Sequence, residues 1–201
     1  MQDFEDSDAA PVPELPAGSA PRRLGLRMLA AWVRDLALSA LIAVVLVVFV
    51  YQPVKVEGTS MTPALKDQER IFINKFTYRF GLGAIERGDT VVFRYPLDPT
   101  KSYIKRVVGT PGDRIRIEAG QVYVNGRPLL EDYVVARDRV SWPSSPDMLR
   151  DRTVPPDMYF VLGDNRMFSS DSRSWGYVPR ENIYGKAVFA YWPLDEAGRL
   201  K

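Results

Sequence analysis

The residues of this chain that could act as nucleophiles are hydroxyls and amines, because its 201 residues include neither Cys nor His. The absence of Cys excludes disulfides, thiolate metal sites and a cysteine nucleophile. The absence of His excludes a Ser-His-Asp triad and a histidine zinc site. A hydroxyl nucleophile in this chain therefore needs a lysine, a carboxylate or a bound water as its base.

Ser60 is the first candidate nucleophile. It belongs to the segment at residues 56–65, whose sequence is Val-Glu-Gly-Thr-Ser-Met-Thr-Pro-Ala-Leu. In this segment Thr62 and Pro63 resemble the N-cap and the first position of a helix. The pattern predicts a short helical turn that begins at Thr62, with Ser60 near backbone N–H groups that could stabilise an oxyanion. A serine at such a junction is also a common structural turn residue.

Lys105 is the candidate base. In the predicted strand at residues 103–108 it shares a face with Tyr103 and Val107, and apolar neighbours on both faces favour burial of Lys105 or of Arg106. A lysine with the ordinary pKa of about 10.4 is almost fully protonated at pH 7, whereas a base needs a pKa of roughly 7–8. Burial can lower the pKa that far, although a surface position is more common for a strand lysine.

A third group of polar residues lies between two glycines, at residues 163–176. It combines several serines with an Asp-x-Arg pair formed by Asp171 and Arg173. This composition is typical of an exposed polar loop. It also suits a hydrogen-bonded scaffold that supports an active site, because hydroxyls, carboxylates and guanidinium groups can satisfy one another there.

One apolar segment could hold these groups at a membrane. Residues 36–54 carry no charged side chain, and as a helix these 19 residues span roughly 28 Å, close to the hydrocarbon thickness of a bilayer. A buried core helix seldom stays uncharged for so long, and a cleavable signal peptide would be shorter and nearer the N-terminus. Four arginines precede the segment, so the positive-inside rule places the N-terminus in the cytoplasm.

The chain is therefore predicted to have three parts. Residues 1–28 form a disordered cytoplasmic tail, residues 29–54 a transmembrane anchor, and residues 55–201 an extracytoplasmic domain that carries the candidate site. This domain is predicted to be mainly β and antiparallel. Its β-branched and aromatic runs are residues 90–93, 103–108, 115–117, 121–124 and 188–192, with turns at Ala119-Gly120 and Asn125-Gly126. Residues 141–157, with four prolines, are predicted to be a surface excursion.

Four motifs, in this order and behind a membrane anchor, resemble those of the bacterial type I signal peptidases. They are Thr59-Ser60-Met61-x-Pro63-x-Leu65; Arg87-Gly88-Asp89-x-Val91; Tyr103-Ile104-Lys105-Arg106-Val107-x-Gly109-x-Pro111-Gly112-Asp113; and Gly163-Asp164-Asn165 with Ser169-x-Asp171-Ser172-Arg173-x-Trp175-Gly176. Each motif alone is moderately specific, but their order makes the resemblance strong over residues 29–193. The resemblance implies a β-rich catalytic domain and a membrane-bound serine endopeptidase that removes signal peptides with a Ser-Lys dyad.

The resemblance also implies a role for each matching residue. Ser60 matches the nucleophile and Lys105 the general base, while Ser169 matches the hydroxyl that orients the lysine. Asp171 and Arg173 match a supporting ion pair. Shallow pockets for small substrate side chains are matched by Val56, Met61, Leu65, Tyr103 and Ile104.

The implied partners are secretory preproteins and membrane lipids, at the outer face of the bacterial cytoplasmic membrane, and the implied chemistry needs no metal or organic cofactor. A balance of 27 basic and 25 acidic side chains gives no support for a nucleic-acid partner. The small-residue preference of such an enzyme follows from its substrates, whose signal peptides end in small residues.

The chain departs from the family pattern at three places. Gly58 stands where many relatives carry a serine that helps the oxyanion hole, Glu57 replaces a common proline, and Met167-Phe168 replaces a more polar pair. Two other interpretations stay open at this point. Ser102 and Lys105 fit the S-x-x-K motif of penicillin-recognising hydrolases, and a membrane-tethered β-domain could bind exported chains without cutting them.

Overall fold

The N-terminal part of the chain forms one long helix. The computed structural model describes residues 22–76, 83–134 and 151–200, and within them helix α1 spans Arg22–Val50. Its segment Arg27–Val45 is long and apolar enough to cross a membrane. The helix begins inside the predicted disordered tail, so residues 22–28 are helical. It ends at Val50, before the predicted end of the anchor at residue 54, because residues 51–54 join a sheet.

Twelve strands follow within the described residues, and every pairing between them is antiparallel. They are β1 Tyr51–Lys55, β2 Arg70–Asn74, β3 Thr90–Tyr95, β4 Asp98–Gly109, β5 Arg114–Glu118, β6 Gln121–Val124, β7 Arg127–Pro128, β8 Arg152–Thr153, β9 Met158–Leu162, β10 Val178–Pro179, β11 Ile183–Trp192 and β12 Gly198–Arg199. A short helix, α2, spans Ser172–Trp175. Single 3₁₀ turns lie at Arg166–Phe168, Arg180–Asn182 and Leu194–Glu196.

The strands form two sheets. The larger has the order β1-β2-β11-β3-β4-β9-β10, with β12 paired to β11, and the smaller has the order β7-β6-β5-β8. The predicted mainly β, antiparallel fold class is confirmed, and each of the five predicted runs lies in a strand. The two predicted turns are also confirmed, because positive φ angles at Ala119, Gly120, Asn125 and Gly126 close tight hairpins. Of the predicted excursion, residues 141–150 lie outside the described residues.

Strand β4 changes its surroundings along its length, and this change positions the candidate base. Its first half pairs with β3 alone, whereas from Arg106 onward it also pairs with β9 and becomes a central strand. Its burial follows the pairing: Lys101 and Ser102 are exposed, and Lys105 to Gly109 are buried. Among the described strands, β1 pairs with β2 alone, so β1 and the first half of β4 each present an unpaired edge.

Candidate active site

The Ser60 loop continues from β1 and is held at both ends. The Val56 amide donates to the Glu69 carbonyl at 2.8 Å, and the buried side chains of Met61 and Leu65 pack into a core cluster with Val56. The predicted short helical turn at Thr62 is wrong: residues 60–64 form turns, with bends at residues 59 and 65. The Leu65 amide makes one helix-like bond to Met61, and the Thr62 hydroxyl donates to the Thr59 carbonyl at 2.7 Å instead of capping a helix.

Lys105 lies beside Ser60. Its Nζ atom donates to Ser60 Oγ at 2.6 Å and to the Ile104 carbonyl at 3.0 Å. The side chain is buried, with 4% of the residue exposed, and burial lowers the pKa of the amine to about 8, although Asp171 and Asp164 pull it upward. The candidate base and the candidate nucleophile, 45 positions apart in sequence, are thus within hydrogen-bond distance.

Asp171 organises the polar segment at residues 163–176. The carboxylate accepts from the Gly163 amide at 3.1 Å and from the Arg173 amide at 3.2 Å, where it caps the N-terminus of α2. The Arg173 guanidinium donates to both carboxylate oxygens, at 2.7 and 2.8 Å, and to the Arg166 carbonyl. The segment is therefore the hydrogen-bonded scaffold that its composition allowed, since Asp171 is fully buried and satisfied.

The same segment contacts the Ser60 loop directly. The Asn165 amide donates to the Ser60 carbonyl at 3.1 Å, and its side-chain amide donates to the Thr59 carbonyl and the Thr62 hydroxyl, both at 3.1 Å. Gly163 leaves the space for this approach, because a Cβ atom there would lie 2.5 Å from the Ser60 carbonyl oxygen and closer still to Ser169 Oγ. This role of Asn165 could not be foreseen from the sequence, because its bonds reach residues more than 100 positions away.

Ser169 is close to the site but does not form the predicted bond. Its hydroxyl oxygen is buried and has no hydrogen-bond partner among the described residues. The lysine amine that it was expected to orient is bonded to Ser60 and Ile104 instead. Ser169 is held through its backbone, because its carbonyl accepts from Arg173 at 3.3 Å.

A buried ion pair lies next to Lys105 in sequence. Arg106 donates to both oxygens of Asp164, at 2.9 and 2.7 Å, and these side chains are 4% and 0% exposed. The pair joins β4 to the segment that carries Asn165 and Gly163. Both residues lie in motifs identified from the sequence, but their pairing could not be foreseen, because it joins positions 58 apart.

A groove of about 370 Å³ contains the candidate site. Four of the five predicted pocket residues line it, namely Val56, Met61, Tyr103 and Ile104. Leu65 does not line the groove; it is buried in the core and borders a separate cavity. The groove is also lined by residues that sequence analysis did not propose, including Val54, Val92, Phe168, Ser170 and Tyr184.

Gly58 takes part in the loop and not in the candidate oxyanion hole. Its amide donates to the Asp67 carboxylate at 2.8 Å, and that bond is the main reason that the pKa of Asp67 is lowered. Its φ of 93° lies in the left-handed region that favours glycine. The Gly58 amide is therefore already engaged and cannot serve as a second oxyanion donor in this conformation.

In this β-domain a buried lysine with a lowered pKa bonds a serine hydroxyl inside a groove. This is the arrangement of a serine hydrolase that uses an amine base. Comparison with known proteins agrees with this class. Residues 29–192 match the family described as Signal peptidase, peptidase S26.

Individual relatives are similar over most of the chain. Signal peptidase I of Leptolyngbya laminosa is 36% identical over 196 residues, which cover 94% of this chain and 91% of that protein. Signal peptidase IB of Staphylococcus aureus is 32% identical over 176 residues, covering 82% of this chain and 90% of that protein. A solved signal peptidase I from Enterococcus faecalis V583 is 32% identical, with 52% of this chain and 97% of that chain covered and a TM-score of 0.43.

The chain therefore belongs to the signal peptidase family, peptidase S26, and is a hydrolase. Family membership supports signal-peptide removal, and together with α1 it indicates a membrane-anchored protein. The penicillin-recognising interpretation is wrong: Lys105 bonds Ser60, whereas Ser102 lies exposed.

Proposed function

We propose that the protein removes signal peptides from secretory preproteins with Ser60 as nucleophile and Lys105 as general base. The observation that carries the proposal is the 2.6 Å bond between Lys105 Nζ and Ser60 Oγ, made by a buried amine whose pKa burial lowers to about 8. An amine with that pKa is neutral for about a tenth of the time at pH 7, enough to accept the hydroxyl proton.

The proposed reaction passes through an acyl-enzyme. Neutral Lys105 accepts the Ser60 proton while Ser60 Oγ attacks the carbonyl carbon of the scissile bond, and the Ser60 amide stabilises the oxyanion. The protonated lysine then gives its proton to the leaving amine as the peptide bond breaks. Lys105 next removes a proton from water as the water oxygen attacks the ester carbonyl carbon. It then returns that proton to Ser60 Oγ as the ester bond breaks, and the signal peptide leaves with a new C-terminal carboxyl group. No metal or organic cofactor has a part in these steps.

The substrate is proposed to lie between the unpaired edges of β1 and β4. An extended peptide there gains main-chain bonds from either edge, as in other strand-addition complexes. Val56, Met61, Tyr103 and Ile104 then form the shallow walls that select small side chains, with Leu65 supporting them from the core.

The polar segment at residues 163–176 is proposed to support the dyad. Asp171, held by Arg173, fixes Gly163 and adds a negative charge that opposes the lowering of the Lys105 pKa. Ser169 belongs to the same segment, and its buried hydroxyl has no hydrogen-bond partner among the described residues. This hydroxyl is proposed to orient the Lys105 amine.

The proposed location is the bacterial cytoplasmic membrane. α1 is the single-pass anchor, the N-terminus is cytoplasmic, and the β-domain faces the extracytoplasmic side, where membrane lipids surround the preproteins that it cuts. The four arginines before the uncharged segment support this orientation.

Two substitutions test the dyad. Ser60→Ala and Lys105→Met should each lower cleavage of a detergent-solubilised preprotein by about 10⁴-fold or more, because a nucleophile and its base act as a unit. Lys101→Met is the matched control: it removes a lysine from the same strand, but one whose exposed ammonium pairs with Asp98 at 3.0 Å. Wild-type cleavage by either dyad variant, with folding verified by circular dichroism, would overturn the proposal.

A further inference from the structure

The groove that contains Ser60 continues into a second cleft of about 730 Å³. Ser102 and Tyr184 line both cavities. From these shared residues the second cleft extends along β1 to Gln52 and along β4 to Thr100, in both strands toward the N-terminal end. The cleft is therefore the end of the groove that lies farther from Ser60 along the strands.

Positive charge predominates in this cleft. Its charged lining residues are Lys75, Arg94, Arg180 and Glu181, three cations against one anion. Arg94 is exposed, and the Lys75 ammonium lies 5.5 Å from the centre of the Tyr184 ring that separates the cleft from the catalytic groove. A ligand that enters the cleft from the groove thus meets these side chains at the boundary.

The direction of the substrate follows from the order of the chain. Gln52 stands two residues after Val50, the last residue of α1, and the hydrophobic helix of a signal peptide occupies the same membrane. The upstream part of the substrate should therefore arrive at the Gln52 end. Five positions of β4 separate Thr100 from Lys105, about 17 Å at 3.3 Å per residue, which matches five extended substrate residues.

If the hydrophobic helix of the substrate ends five residues before the scissile bond, its C-terminal carbonyl groups lie at the cleft. The last four carbonyls of a helix lack intrahelical partners, and the helix dipole places about half a negative charge at that end. Lysine and arginine side chains are the residues that bind such an end. We propose that the cleft of Lys75, Arg94 and Arg180 binds the C-terminal end of the substrate's hydrophobic helix and so sets the distance from helix to cut.

This inference rests on the proposed function, and it is tested with charge-swapped substrates. Two full-length preproteins carry either Asp or Lys at the sixth residue before the cut, and kcat/KM is measured for the full-length enzyme in neutral detergent. The wild type should prefer the Asp substrate by about 2- to 5-fold. Arg94→Glu should reverse the preference, and Lys75→Glu provides a second variant should the first fail to fold. Arg127→Glu, the same change on an exposed strand of the smaller sheet, should keep the wild-type preference.

The outcomes separate this inference from the proposed function. Cleavage by Ser60→Ala would overturn the proposed function, whereas an inactive Ser60→Ala together with an unchanged preference in Arg94→Glu and Lys75→Glu would overturn the helix-end site alone. An effect of Arg94→Glu that appears only in vesicles containing phosphatidylglycerol, and not in neutral detergent, would assign the cleft to anionic lipid headgroups and would also overturn it.

Discussion

The position of Lys105 within β4 accounts for its lowered pKa. It is the last residue of β4 before the strand pairs with both β3 and β9. Its side chain is therefore buried at the point where β4 becomes a central strand of the sheet. Within the described part of the chain no carboxylate forms an ion pair with it; its Nζ partners are a hydroxyl and a carbonyl. Desolvation therefore outweighs the more distant charges of Asp171 and Asp164.

This environment predicts the pH dependence of the enzyme. A base must be neutral to accept a proton, so kcat/KM should rise with pH and level off above the pKa of about 8. The activity should fall about tenfold for each pH unit below that value, since the neutral fraction falls in proportion. The measurement is kcat/KM for a preprotein between pH 5.5 and about 10.

Circular dichroism over the same range serves as the control, since it separates titration of Lys105 from unfolding. A rising limb centred near 10.5, the ordinary value for lysine, would show that the amine is solvated in the working enzyme. That result would contradict the burial of the Lys105 amine, on which the mechanism depends.

Some properties of single residues could be predicted from the sequence and others could not. Apolar neighbours on both faces of the strand already indicated burial of Lys105 or Arg106, and both are buried. The burial of Leu65 in the core could not be deduced from the sequence. A motif specifies which residues occur, but not which of their side chains face the groove. The bond from Gly58 to Asp67 was also not foreseen, since it joins positions nine apart through a turn.

At the scale of elements, the site depends on the contact between two loops. The Ser60 loop leaves β1, and the segment after β9 meets it through Asn165 and Gly163. The Ser60 loop has no regular backbone pattern, so its bonds to Asn165 hold it against the segment after β9. Asp171 in turn holds that segment by accepting from the Gly163 amide. The contact between the two loops is most sensitive to substitution at Gly163, because the Ser60 carbonyl oxygen lies close to the Gly163 Cα atom.

Gly163→Ala should therefore damage the site. The new methyl group would meet the Ser60 carbonyl, which cannot rotate away as a side chain could, so the two loops must separate. Overpacking of this kind costs about 1–3 kcal/mol of unfolding free energy, and displacement of Ser60 by about 1 Å lowers catalysis on the order of 100-fold. Denaturant unfolding and kcat/KM measure the two effects.

Gly198→Ala provides the matched control for that experiment, since nothing lies within 4 Å of a Cβ atom at Gly198. Its stability and activity should both equal those of the wild type. A Gly163→Ala enzyme that matched the Gly198→Ala enzyme in both measurements would show that the loops are not in close contact.

The elements differ in how far the sequence determines them. Strands such as β3 and β5 follow from runs of β-branched residues, and the Asn125-Gly126 hairpin follows from a local turn preference. The helical turn expected at Thr62 failed because the Thr62 hydroxyl bonds backward to Thr59 and the chain turns toward β2. The proximity of Lys105 to Ser60 came from the family resemblance, because it depends on sheet order, which local patterns do not encode.

At the scale of the whole molecule, the proposed function requires the β-domain to face exported chains. A signal peptide is presented at the outer face of the membrane, so a cytoplasmic dyad would not meet its substrate. A large overall excess of basic groups is not needed to fix such an orientation, because the positive-inside rule depends on the arginines that lie close to the anchor. In this chain Arg22, Arg23, Arg27 and Arg34 supply that bias.

The absence of native cysteine makes this orientation directly measurable. Ser7→Cys places a thiol in the predicted cytoplasmic tail, and Arg127→Cys places one on an exposed strand of the β-domain. A membrane-impermeant maleimide should label Arg127→Cys in intact spheroplasts and Ser7→Cys only after permeabilisation, while the wild type stays unlabelled. The reverse pattern would place Ser60 and Lys105 in the cytoplasm, where translocated preproteins could not reach them, and the proposed cleavage would then lack its substrate.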